Sequence, residues 1–158
     1  MNEELILRLE IQALLDAYVA TIDEDRIEDW PGFFTEDCLY EIIPKENVDL
    51  GLPIGIMRCE NSRMLRDRVV SLRNANIFSP ATYRHFLSGL TITDRQDEAI
   101  EFSCNYLVIN TNQIGQSFVY QTGRYQDLIV RQEGAWRFAQ KRAIFDTSRV
   151  QTLLAIPV

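Results

Sequence analysis

The sequence carries a single histidine, His85, among its 158 residues. A mononuclear non-haem iron site takes two histidines and a carboxylate, and a Rieske cluster takes two histidines and two cysteines. One copy of this chain supplies the side chains for neither. Cysteine is scarce as well: Cys38, Cys59 and Cys104 are odd in number, widely spaced, and contain no Cys-x-x-Cys pair. That pattern excludes a disulfide framework and a zinc knuckle, and it reads as buried free thiols. There is no G-x-G-x-x-G, no Walker A sequence and no G-x-S-x-G, so nucleotide binding and serine hydrolase chemistry have no support. No apolar run approaches the roughly eighteen residues of a membrane helix. The opening Met1-Asn2-Glu3-Glu4 lacks the basic stretch of a secretory signal, which makes the cytoplasm the expected location. Basic residues are outnumbered 16 to 23, for a net charge of -7. A phosphate backbone would be repelled, so nucleic acid is not an expected partner. Internal repeats and Pro/Gly-rich linkers are absent too, and one domain over residues 1–158 is expected.

What is present is a clear change of periodicity along the chain. Leu5, Leu9, Leu15, Val19 and Ile22, widened by Ile6, Leu14 and Tyr18, predict an amphipathic first helix. Ile27–Phe34 reads as a second short helix or turn, and Cys38–Ile43 as a strand closed by Pro44. Residues 45–55 carry Pro and Gly and read as a loop. A helix follows over Asn61–Asn74, with Leu65, Val69 and Leu72 inward, Arg63, Arg66, Asp67, Arg68 and Arg73 outward, and Asn61 or Ser62 as its cap. The outward arginines read as a solvated face, with an ion-pair network through Asp67 as the other option. Ile77–Pro80 ends this region.

From Tyr83 on, strands are expected over Thr82–Thr93, Ala99–Thr111, Ser117–Arg131 and Trp136–Arg149. In the second of these, Ile100, Phe102, Cys104, Tyr106 and Val108 alternate with Glu101, Ser103 and Asn105. The short connections imply antiparallel hairpins, and Gly123 within a long strand suggests a bend or bulge. Helices followed by such strands make the fold class α+β, with an antiparallel, strongly curved sheet wrapped around the N-terminal helices.

Met64-Leu65-Arg66-Asp67-Arg68-Val69, Pro80, Arg84-His85, the long strand hairpin ending at Asp146 and the Thr152-Leu153-Leu154 tail form an ordered set. Tyr18 with Asp23, Trp30 with Phe34, and Trp136 agree with it in order. Over about residues 5 to 156 the chain resembles the small (β) subunits of aromatic-ring-hydroxylating dioxygenases, above all those acting on aromatic acids such as anthranilate, benzoate, salicylate or terephthalate. The resemblance implies a cone-shaped fold of the nuclear-transport-factor-2-like superfamily. It also implies a partner, the oxygenase α subunit, usually as three α with three β. The α subunit would hold the Rieske iron-sulfur cluster and the mononuclear iron, with electrons arriving from NADH through a reductase, sometimes with a ferredoxin between. No cofactor or metal is expected in this chain.

On that reading the chain has no catalytic residue. The competing reading is a free-standing dehydratase or isomerase of the same fold, in which Tyr18, Asp23, Tyr40 and His85 converge in an acid-base pocket. A His beside Arg84 at the start of a strand is more simply structural. Phe102, Tyr106, Phe118, Tyr120, Tyr125, Trp136, Phe138 and Phe145 are read as core, with any cavity among them filled or vestigial.

Overall fold

The computed structural model describes residues 2–75, 81–146 and 156–158. Helix α1 spans Glu3–Asp23; the Asn2 side chain caps it by accepting from the Glu4 N–H, and Glu3 and Glu4 sit at its positive end. Its buried stripe is Leu7, Ile11, Leu15, Tyr18, Val19 and Ile22. Leu5 and Leu9, expected on that stripe, are exposed instead. Each lies two positions from Leu7, which is about 200° around a helix of 3.6 residues per turn. A 3₁₀ helix, Ile27–Phe33, turns the corner and buries Trp30.

Strand β1 (Phe34–Pro44) follows, then helix α2 (Lys45–Asp49), strand β2 (Met57–Cys59) and helix α3 (Ser62–Asn74). The stretch read as a loop therefore begins as a short helix, clipped by a Lys45–Asp49 ion pair at 2.7 Å. Strand β2 is too short for periodicity to reveal. Helix α3 is capped by Asn61, whose side chain accepts from the Met64 N–H. The expectation for its outward arginines is a solvated face, with a network through Asp67 as the other option; Arg73 departs from both, binding Asp25 at 2.8 Å and Glu28.

The long strands are β3 (Ala81–Gln96), β4 (Ala99–Asn112), β5 (Ser117–Gln132) and β6 (Ala135–Phe145). They form an antiparallel meander, as their short connections imply. Between β5 and β6 the two loop residues, Glu133 and Gly134, both have positive φ (52° and 79°), as a type I′ hairpin requires. The last strand stops at Phe145, and Asp146, expected within it, is a bend; residues 147–149 of its expected span, the Thr152–Leu154 tail and Ile77–Pro80 fall outside the described residues.

The sheet is not antiparallel throughout. Its order is β2-β1-β6-β5-β4-β3, and β1 runs parallel to β6. These two strands are joined by most of the chain rather than by a hairpin, so short-connection logic does not apply to them. Their register is fastened by charge. Glu41 on β1 is paired across to Arg58 on β2 and Arg142 on β6, and its buried carboxylate meets both guanidinium groups, at 2.8 and 2.6 Å.

Gly123 marks a close approach rather than a bulge. A Cβ there would lie 2.1 Å from the Ile144 carbonyl oxygen and 2.7 Å from Phe145 Cα. The register shift itself lies nearby, where Val108 and Ile109 face Gln121 and Val119. The curved sheet closes over α1, the 3₁₀ helix and α3, and one apolar cluster from Leu7 to Val158 fills the space between.

Two outcomes follow from these contacts. Gly123→Ala should cost about 3 kcal/mol or more in chemical denaturation, because main chain blocks the new methyl group. Arg73, through its hydrogen bond, holds the Glu28 carboxyl down at about 2, against an ordinary 4.5. A folded value below the unfolded one means the clasp contributes above pH 4.5 and is lost as the pH falls towards 2. Arg73→Ala should therefore flatten the acid limb of the melting-temperature profile, and do so more at low salt because the clasp is exposed.

Candidate functional site

The four residues proposed for an acid-base pocket come together as two separate pairs. Asp23, at the end of α1, meets His85 on β3: Oδ1 lies 2.6 Å from Nδ1, and Oδ2 accepts the His85 main-chain N–H at 2.8 Å. A carboxylate only accepts, so Nδ1 carries the proton of that bond. Tyr18 and Tyr40 meet elsewhere, both donating to the Val158 main-chain oxygen at 3.1 Å. Among the described residues no hydrogen bond links one pair to the other.

The first pair has a structural task that its position explains. Strand β3 is an edge of the described sheet, so its outward N–H and C=O groups face no described strand. Asp23 satisfies one of these with His85 N–H, and Arg8, also on α1, satisfies another by donating to Leu90 O at 3.1 Å. Helix α1 thus clips the open edge. The His85 ring is wholly enclosed, and its Nε2 has no hydrogen-bond partner among the described residues. A recess of about 360 Å³ between α1 and β3 touches His85, alongside Arg8, Gln12, Asp16 and Cys104. The ring has no exposed surface there, so only the main chain of His85 faces solvent.

The most unusual chemistry in the interior lies at residues the sequence reading passed over. Lys141 on β6 and Asp127 on β5 form an ion pair at 2.8 Å with both side chains entirely buried. The ammonium group lies 3.5 Å from the centre of the Tyr125 ring and 4.6 Å from those of Tyr18 and Phe138. Burial pushes the Asp127 carboxyl up to about 6, against the opposing pull of Lys141, and burial likewise pushes the Lys141 ammonium down. The signal was available: Gln121, Gly123, Tyr125, Asp127 and Ile129 are the buried members of an alternating strand, so a carboxylate stands at an inward phase.

The remaining candidates are packing. Phe102, Tyr106, Tyr125, Phe138 and Phe145 are core, Tyr120 and Trp136 are half-buried, and Phe118 lies on the outside. Tyr106 stacks on Tyr125 with centroids 4.6 Å apart. All three cysteines are free and buried, and burial pushes the Cys38 and Cys104 thiols up to about 11 and 12. Thiols so shifted are poor nucleophiles and poor ligands. Among the described residues no group of three or more His, Cys, Asp and Glu side chains is placed to hold a metal ion. The donor set does not fit an iron centre. No described helix is long and apolar enough to cross a membrane.

Known proteins resemble this chain in sequence and fold. A model of the SnoaL-like domain matches residues 3–142. The small subunit of anthranilate 1,2-dioxygenase from Burkholderia cepacia is 54% identical over all of this chain and 98% of its own length. The chain belongs to the small-subunit family of aromatic-ring dioxygenases. A second member, subunit beta 2 of the terminal oxygenase component of terephthalate 1,2-dioxygenase from Comamonas sp, is 34% identical over 98% of this chain and all of its own. The crystal structure of a β subunit assigned to an aromatic-ring-hydroxylating dioxygenase of Novosphingobium aromaticivorans superposes with a TM-score of 0.91 at 36% identity, covering 99% of this chain and all of that one. The small-subunit fold is thus a SnoaL-like domain with a mixed sheet.

Within this small subunit the Lys141–Asp127 pair has a measurable signature. Lys141→Met alone should lower unfolding free energy by about 3–5 kcal/mol, because it strands a buried carboxylate. Lys141→Met with Asp127→Leu should recover most of that loss. Urea denaturation of both variants checks the pair; equal destabilisation by the single and double changes would contradict it.

Proposed function

We propose that this chain is the non-catalytic, one-domain small subunit of a multi-subunit oxygenase that hydroxylates an aromatic acid. The observation that carries the proposal is 54% identity, end to end, with the small subunit of anthranilate 1,2-dioxygenase. Anthranilate and terephthalate are both aromatic carboxylates, which favours that substrate class. The Rieske cluster and the mononuclear iron belong, on this reading, to a large α subunit, with three α and three β in the assembly. Electrons come from NADH through a reductase, with or without a ferredoxin, and the complex works in the cytoplasm. The side chains described above support the division of labour. The lone imidazole is enclosed and held by Asp23, which fits a chain that leaves the iron chemistry to its partner.

The dehydratase reading needs Tyr18, Asp23, Tyr40 and His85 around one substrate, and they are divided between two places. Asp23 already spends both oxygens on His85. The test is co-expression with a large subunit bearing a Rieske sequence. The two chains should co-purify, and turnover should require both. A small chain that stays monomeric and never binds such a partner would remove the proposal. In the assembled complex, His85→Ala should cost about 1–3 kcal/mol of stability through loss of the Nδ1–Asp23 hydrogen bond, with the main-chain tie to Asp23 kept and turnover per assembled complex retained. A loss on the order of a hundredfold or more with assembly intact would instead make His85 a general acid or base.

A further inference from the structure

The last residues of the sequence occupy a position that a ligand would fill. Val158 is wholly buried and belongs to the main core cluster. Its main-chain oxygen receives hydrogen bonds from Tyr18 and Tyr40, each at 3.1 Å, and its N–H donates to the Tyr40 hydroxyl at 3.0 Å. Trp30 Nε1–H donates to the Tyr18 hydroxyl at 3.1 Å, which directs the Tyr18 proton towards Val158. Pro157, next along the chain, lines a small recess together with Ile27, Trp30, Met57 and Leu72.

Two features separate this socket from ordinary core. First, it is built without the tail. The Trp30–Tyr18 hydrogen bond and the edge-to-face contacts of Trp30 with Tyr40 (5.1 Å) and with Phe34 (5.7 Å) involve only α1, the 3₁₀ helix and β1. Second, all the polar recognition is of main chain. Two phenol hydroxyls converge on one oxygen, the arrangement by which donors hold a carboxylate or a polarised carbonyl. A site that recognises C=O and N–H beside a small apolar body does not need valine. If the tail were withdrawn, two buried hydroxyls would be left without an acceptor, which favours refilling by any small molecule that supplies one.

We propose that the Tyr18–Tyr40–Trp30 socket is a binding site for a small carboxylate or amide on a short apolar body, and that the protein keeps it filled with its own Val158. The inference does not depend on which complex the chain enters. The probe is benzoate, titrated into the full chain and into a chain lacking residues 156–158, with calorimetry and the Trp30 indole N–H resonance as readouts. The shortened chain should bind benzoate and shift that resonance, and the full chain should bind it roughly tenfold more weakly or worse. Adding Tyr40→Phe to the shortened chain should weaken binding by roughly another tenfold. A folded shortened chain that gives no heat and no shift overturns the proposal, as does binding indifferent to Tyr40→Phe. Should the shortened chain fail to fold, the full chain with Val158→Gly keeps the main-chain ties but loosens the tail. There, benzoate should speed hydrogen exchange of the residue-158 amide by roughly tenfold or more. An unchanged exchange rate overturns the proposal equally.

Discussion

A lysine and an aspartate, both stripped of water, sit at the centre of this protein, and the surrounding architecture is arranged to tolerate them. Moving an ammonium and a carboxylate out of solvent costs several kcal/mol for each ion, and only close contact with good partners offsets it. Lys141 and Asp127 supply each other at 2.8 Å. The negative faces of Tyr125, Tyr18 and Phe138 then take up the remaining positive field of the ammonium. This arrangement fixes which residues of β5 and β6 face inward. It also ties α1 to the sheet, since Tyr18 belongs both to the aromatic box and to the socket around Val158. A slip of one residue between β5 and β6 would separate the charges and turn both pairs of faces over.

The interior of the fold is therefore occupied twice, by an internal ion pair and by Val158. An enzyme of this architecture needs an accessible polar pocket with an acid and a base on the same substrate. Here the histidine is enclosed and its aspartate serves the main chain of an edge strand. The side chains offered for acid-base work are thus already engaged in holding the fold together.

Much of the architecture was legible because local patterning and global fold agree. The period-two alternation of Ile100, Phe102, Cys104, Tyr106 and Val108 became the inward face of β4 without exception. Asn61 caps α3 as its side chain and position suggested. The failures share one cause, which is that pairing between distant segments leaves no local trace. The parallel contact of β1 with β6, the three-residue β2 and the inward register of α1 are each decided by what packs across from them. For the site, Asp23 and His85 were legible as residue types, yet nothing local said that Asp23 would also bond the His85 N–H. Lys141 and Asp127 are hard to read for a related reason. A buried charge looks like a surface charge until its partner, on the next strand, is in view.

The position of β1 in the sheet has a kinetic consequence. Glu41 and its partner Arg142 are 101 residues apart in sequence, and among the described residues β1 has only the three-residue β2 on its other side. On a ribosome, β1 emerges early and waits for its main neighbour until nearly the whole chain has been made. Until then its apolar residues, Tyr40 and Ile42 on one face and Ile43 on the other, lie beside unbonded main-chain groups, the condition under which nascent strands pair with the wrong chain. Closure over so large a sequence separation is intrinsically slow, because the entropy of the intervening loop is lost before the contacts form. Synthesis close to a waiting partner chain would shorten that exposed interval.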